Sequence, residues 1–190
     1  MNKHIIYLAA GNSRRFAGNK LLFEFNGKAL FRHTLDKLIN LAENDDSITL
    51  TVVTRYDEIT AYCNDRNVKT VRCEESVNGI SYSIKSGLGS ISADSGDYVA
   101  FVVADQPSLK KSTLNKLLDK ADGKTHFASA RFNSKAGNPT LFSAKYIPRL
   151  LELQGDEGGR KIIDENLCAY IDAEAKQELE DIDYLPLTQS

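Results

Sequence analysis

Two cations and one carboxylate stand out as residues able to do chemistry. Arg15 and Lys20 belong to a polar stretch that begins at Gly11, where the apolar run Ile5 to Ala10 stops. Asp105 opens the segment Asp105-Gln106-Pro107 at the end of the most apolar run in the chain, Tyr98 to Ala104. A glycine lets the backbone come close to a ligand, so N–H groups along Leu8, Ala9, Ala10, Gly11, Asn12 and Ser13 could face anionic oxygens. Arg15 and Lys20 would add full positive charge, which suits a phosphate-rich ligand. Asp105 suits Mg2+, a hard cation that takes one or two carboxylates together with phosphate oxygens and waters. Each feature alone also has a plain structural meaning: a solvated basic loop, and an aspartate opening a turn before proline.

Three further stretches could touch a ligand. Gly79, Ser81 and Ser83 sit where a helix begins, and free N–H groups there suit a nucleotide oxygen or base edge. Simple N-capping by serine is equally open. Gly137-Asn138-Pro139 reads as a turn. Gly155-Asp156-Glu157-Gly158-Gly159-Arg160 joins a glycine-rich loop to a guanidinium whose fork matches phosphate geometry. Asp156 could also be a plain N-cap, with Glu157 favouring the helix dipole. His4, His33 and His126 fall in no metal-ligand spacing and read as structural or surface residues. No Ser/His/Asp or Cys/His constellation is present. A phosphate monoester nucleophile does without one, because its second pKa of about 6 leaves it mostly ionised at neutral pH. Positioning and charge neutralisation then suffice.

These residues need a scaffold that gathers them at one edge. The continuous apolar run Ile5 to Ala10 predicts a strand buried on both faces of a parallel sheet. Ile48 to Thr54, Val68 to Cys73 and Tyr98 to Ala104 predict further strands. Helical spacing from Leu30 to Ala42, and segments over Tyr56–Asn67 and Ser81–Ile91, predict helices between them. Ser112 predicts the cap of another helix, with Gly123 just past its end. His126 to Phe132 and Leu167 to Ile171 predict later strands, and Lys145 to Leu153 a helix. The segment 173–180 is highly charged and carries no assignment. Strand and helix alternate, so the expected fold is α/β: a doubly wound, mostly parallel sheet in one domain spanning residues 1–190. In such sheets ligands sit at the carboxyl ends of the strands.

Composition narrows the partners. The chain has 190 residues, a formal net charge of −2 and 42% hydrophobic residues. The cations are dispersed rather than striped, which gives no case for nucleic acid. No apolar run approaches the roughly 20 residues needed to cross a bilayer. The N-terminal apolar segment is too short for a signal peptide, so the expectation is a cytoplasmic protein. Cys63, Cys73 and Cys168 are scattered without C-x-x-C spacing, and reduced, partly buried thiols are expected.

The opening string L-A-A-G-x-S-x-R-F-x-x-x-K resembles the signature of nucleotidyltransferases that attach a nucleotide to molybdopterin, the molybdenum cofactor cytidylyl- and guanylyltransferases. Gly79 with Ser81 and Ser83, Ala104-Asp105-Gln106-Pro107, Gly137-Asn138-Pro139, the run Gly155 to Arg160, and Asp181-Ile182-Asp183 follow in the same order as in that family. The resemblance implies a Rossmann-like nucleotidyltransferase fold and Mg2+-dependent transfer from a nucleoside triphosphate to the terminal phosphate of molybdopterin. It places Arg15, Lys20 and Asp105 in catalysis, and Asp105 with Asp183 on the metal. The loop at Gly79 and Ser83 falls to the nucleotide, while Gly137, Asn138, Pro139, Gly155, Asp156 and Arg160 fall to the acceptor side. Ala10 stands where guanylyl-transferring relatives have glycine and cytidylyl-transferring ones alanine, which implies CTP. A molybdenum hydroxylase would receive the product. The sequence departs from the family at Ala17 (glycine is usual), at Ala29 (proline is usual) and in the tail Tyr184-Leu185-Pro186. Two other readings therefore stay open: transfer to a sugar or polyol phosphate, and a maturation factor that binds molybdenum cofactor without catalysis.

Overall fold

The amino-terminal apolar run forms β1 (Lys3–Ala9), and every residue after Lys3 is buried. Its side chains divide with the strand's period of two. Ile5, Tyr7 and Ala9 enter one apolar cluster, and Ile6 and Leu8 enter the other. A strand covered on both faces needs apolar residues at every position, hence the absence of alternation. The computed structural model describes residues 1–11 and 19–182.

From Asn19 the chain makes a 3-10 turn, Lys20–Leu22, then a small hairpin of β2 (Glu24–Phe25) and β3 (Lys28–Ala29). Asn26 and Gly27 turn it at φ 46° and 82°, the left-handed region that an Asn-Gly pair favours. α1 (Arg32–Glu43), β4 (Ile48–Thr54), α2 (Asp57–Asn64), β5 (Lys69–Arg72), α3 (Ile80–Leu88) and β6 (Tyr98–Val103) follow. After them come α4 (Lys111–Leu118), β7 (Phe127–Phe132), β8 (Lys135–Ser143), α5 (Ile147–Leu151) and β9 (Cys168–Asp172).

Seven strands form one sheet in the order β5-β4-β1-β6-β8-β7-β9. β5, β4, β1 and β6 run parallel, β8 runs against both β6 and β7, and β9 is parallel to β7. The sheet is thus mostly parallel, as expected. Leu35 and Leu38 of α1, Ile59 of α2 and Leu114 and Leu117 of α4 cover one face. Ile84 and Leu88 of α3 and Leu150 of α5 cover the other. The strand order reverses at β1, with β4 on one side and β6 on the other, so the carboxyl ends of β1 and β6 flank a crevice.

Three sequence expectations are corrected. Gly137-Asn138-Pro139 is not a turn but part of β8, at a bulge where Ser129 pairs with Thr140 and Ala130 with Gly137. Proline lacks the N–H that the ladder needs, and a bulge is one of the few strand positions that tolerate it. Ser129 Oγ donates to Gly137 O at 2.7 Å across it. The turn itself falls at Asn133, φ 55°. Ser112 does not cap α4, which starts at Lys111. Its amino end is closed from the unassigned tail, where buried Glu178 accepts from Thr113 Oγ1 at 2.6 Å and from the Lys110 N–H at 3.3 Å. Asp156 does not cap the 3-10 turn Gly159–Ile162; that position belongs to Gly158.

Candidate active site

Parallel pairing sets the ends of β1 and β6 side by side: Leu8 is level with Val103, and the Ala104 N–H donates to Leu8 O at 3.2 Å. Asp105 therefore leaves the sheet at the same edge as Ala10 and Gly11. Lys20 reaches the same point from the 3-10 turn, whose start is fixed by Asn19 Oδ1 accepting from the Leu21 N–H. Lys20 Nζ donates to Asp105 Oδ2 at 2.8 Å, with side chains 12% and 24% exposed. At that depth salt screens the pair less than it would a surface pair. Beneath them Tyr7 donates its hydroxyl to Phe31 O at 2.7 Å. Burial holds its pKa well above the usual tyrosine range, and the Asp105 charge adds to the shift. Tyr7 is thus a neutral donor below the rim.

The floor comprises the buried Leu8, Ala9 and Ala10, ending at exposed Gly11. Two residues that sequence reasoning missed hold it. Thr54 Oγ1 donates to Ala9 O at 3.0 Å, and Tyr56 donates its hydroxyl to Gly11 O at 2.7 Å. β4 carries three threonines, so nothing in its sequence singles out Thr54 for this role. Among the described residues, a Cβ at Gly11 would meet nothing within 4 Å. Asn12, Ser13 and Arg15 lie outside the described residues.

Gly79 and the Gly155 loop, separate in sequence, meet at the amino end of α3. Gly79 has φ 131°, and a Cβ on it would lie 2.1 Å from Gly155 C and O and 2.7 Å from Asp156 N. The Ser81 N–H, in the first turn of α3, donates to Gly155 O at 3.1 Å. No serine caps α3: its N-cap is Gly79, and the buried Ser81 Oγ has no hydrogen-bond partner among the described residues. Ser83 is also buried. Further along, a Cβ on Gly159 would lie 2.8 Å from the Phe142 ring, so the loop rests on β8. Glu157 closes the loop on itself through the Gln154 N–H and Lys161. Asp156 and Arg160 are exposed. Because β8 is antiparallel and Thr140 is level with Phe101, Gly137, Asn138 and Pro139 extend towards the carboxyl end of β6.

The tail returns to the same place. The Ile182 N–H donates to Asp105 O at 2.9 Å. Gln106, buried and unassigned in the sequence reading, donates through Nε2 to Leu179 O at 3.1 Å and Asp181 Oδ1 at 2.9 Å. Asp183 lies just beyond, outside the described residues. Among those described, no group of three His, Cys, Asp or Glu side chains could hold a metal alone. A hard carboxylate at this rim nevertheless fits Mg2+, which draws most of its remaining ligands from phosphate and water. Cys63, Cys73 and Cys168 are free thiols. Each histidine is tied into local packing, His4 with Thr49, His33 with Phe25 O and His126 with Tyr146. No helix among the described residues is long and apolar enough to cross a membrane.

A family model described as the MobA-like NTP transferase domain matches residues 5–171. The purine catabolism protein PucB of Bacillus subtilis is 27% identical over 188 residues, covering 94% of this chain and 90% of its own. A probable molybdenum cofactor guanylyltransferase of Pyrococcus horikoshii is 64% identical over 31 residues, 16% of each chain. Among solved structures, a nucleotidyl transferase from Methanothermobacter thermautotrophicus superposes with a TM-score of 0.79 at 20% identity. It covers 96% of this chain and 92% of its own.

Proposed function

The chain belongs to the MobA-like NTP transferase domain family, and from that premise we propose that it transfers a cytidylyl group from CTP to the terminal phosphate of molybdopterin, releasing pyrophosphate. The observation that carries this reading is the meeting of Lys20 and Asp105 at the crevice between β1 and β6. An oxygen of the acceptor's phosphate attacks the α-phosphorus in line. The new P–O bond forms as the bond to the α–β bridging oxygen breaks, and its electron pair leaves with pyrophosphate. The nucleophile is already ionised, so no general base is required. Lys20 and Arg15 neutralise the triphosphate, and Leu8 to Ser13 hold the nucleotide by their backbone. Gly79 and Ser83 line the base side. Asp105, with Asp183, would hold Mg2+, which supplies positive charge to the triphosphate and leaving group when bound. The bond from Ile182 to Asp105 supports that pairing, because it leads the chain past Asp105 one residue before Asp183.

Ala10 is buried, and its methyl group takes space that a larger base would use, which favours CTP. Gly137, Asn138, Pro139, Gly155, Asp156 and Arg160 face the acceptor. Titrating the protein with CTP and Mg2+, then following pyrophosphate release with molybdopterin, tests the reading. CTP binding with release only when molybdopterin is present is the expected result. Release with a polyol phosphate instead would replace the acceptor, and binding without release would leave a carrier rather than an enzyme.

A further inference from the structure

An open cleft of about 570 Å3, a volume common among small-molecule sites, lies at the tip of the β7–β8 hairpin. Among the described residues its lining includes Phe132, Lys135, Arg160 and Lys176 and contains no aspartate or glutamate. The chain as a whole has 24 Lys and Arg against 26 Asp and Glu, so three cations without a carboxylate depart from its general balance. Among the described residues neither Lys135 nor Arg160 makes an ion pair. Lys176 pairs with Glu180 across one helical turn, but their side chains are 69% and 46% exposed, and such pairs are weak enough to be shared with a ligand.

Two walls of the cleft are tied to the segments around Asp105, and the third is seated on the start of α3 and on β8. The hairpin continues into β8, whose bulge at Gly137 to Pro139 lies between it and the end of β6. The loop bearing Arg160 is seated on Gly79 and on Phe142. Lys176 belongs to the tail segment that Gln106 grips three residues later, at Leu179. Phe132, half-buried, adds an apolar wall against which a ring can lie.

We propose that this cleft is a second anion subsite, in which Lys135 and Lys176 hold negative charge on the part of the acceptor remote from its reacting phosphate. The inference rests on the transferase reading above and narrows it. The preferred acceptor has a ring system and an anionic group besides the terminal phosphate, so a short polyol phosphate engages only the rim.

Calorimetric titration of molybdopterin into the CTP-loaded protein tests this, with wild type compared against Lys135→Ala/Lys176→Ala and the double glutamate variant. At least about tenfold weaker binding is expected on charge reversal, with CTP affinity unchanged and the alanine pair intermediate. Equal molybdopterin binding by all three proteins overturns the subsite. Steady-state pyrophosphate release separates the two readings. If wild type binds molybdopterin through the two lysines yet releases no pyrophosphate, the transferase reading falls and the subsite stands. If wild type turns over and the glutamate variant keeps its KM for molybdopterin, the subsite falls and the transferase reading stands. No molybdopterin binding by wild type removes both.

Discussion

Lys20 and Asp105 stand 85 positions apart in the chain, yet Nζ of one lies 2.8 Å from Oδ2 of the other. The contact follows from topology. β1 and β6 are parallel neighbours, so the loop after one and the carboxylate after the other leave the sheet at the same rim. Under the proposed transfer, each charge holds the other at the rim where the triphosphate and its cation would lie.

Replacing either member should therefore stop turnover and spare the fold. Lys20→Ala and Asp105→Asn are each expected to lower pyrophosphate release by at least ~10²-fold, the usual loss when a charge-stabilising group is removed. Both side chains reach water, so circular dichroism and thermal unfolding should stay close to wild type. Near-normal turnover in both variants would take these residues out of the site.

Two glycines should behave oppositely. Gly79→Ala drives a methyl group into the Gly155 backbone from a φ of 131°, and no rotamer relieves that clash. A loss of roughly 2–4 kcal/mol is expected in urea unfolding. Gly11→Ala meets nothing within 4 Å among the described residues and should stay within about 0.5 kcal/mol of wild type while weakening CTP binding. Unchanged CTP affinity would show that no ligand approaches Gly11 closely.

Gln106→Ala removes the donor that holds Leu179 and Asp181. A cost of about 0.5–1.5 kcal/mol is expected, the usual net worth of a hydrogen bond, because Leu179 is half-buried and Asp181 exposed, so water can replace the lost donor. Limited proteolysis should then cut the tail after residue 178 sooner than in wild type. Equal cleavage rates would mean that apolar packing of Leu179 and Ile182 anchors the tail unaided.

Ala10→Gly bears on base choice. Removing a methyl group next to a bound base is worth roughly 1–3 kcal/mol, so the ratio of kcat/KM for CTP over GTP should fall at least about tenfold. A ratio that does not move would place the discrimination elsewhere.

Stability should decline in acid. Asp45 is held at about 2 by hydrogen bonds, first from the Ser47 hydroxyl and then from Lys3. Backbone N–H groups of Thr125 and Lys124 lower Asp122. Burial pushes Asp36 up, but bonds from Lys28 and Tyr62 outweigh it and bring it below its usual value. Folded pKa values below the unfolded value of about 3.9 mean that this stability is complete above pH 4 and fades as pH falls towards 2. Urea midpoints measured from pH 6 to 2.5 should be flat and then drop; a decline beginning at pH 6 would implicate other groups.

Much of the scaffold was legible because its signals are local. β4 spans the expected Ile48–Thr54, and the fully apolar runs became the central strands β1 and β6. Asn26-Gly27 turns as its composition predicts. Two errors share a cause. Pro139 looked like a turn until the register with β7 gave it a bulge, and Ser112 looked like a cap until Glu178, 65 residues beyond Thr113, took that role. In both cases a distant segment outweighed the local preference.

What the residue order determined alone was periodicity and chemistry: a doubly wound sheet, cations after the first strand, a carboxylate after the central one. Which of these meet was decided only by the fold. Gly79 lies against Gly155 and Gln106 grips Leu179, and neither contact has a sequence pattern, because each depends on where two loops leave the same sheet edge. Short-range preferences are written in neighbouring residues, whereas contacts between loops depend on strand order and register, which the whole core sets together.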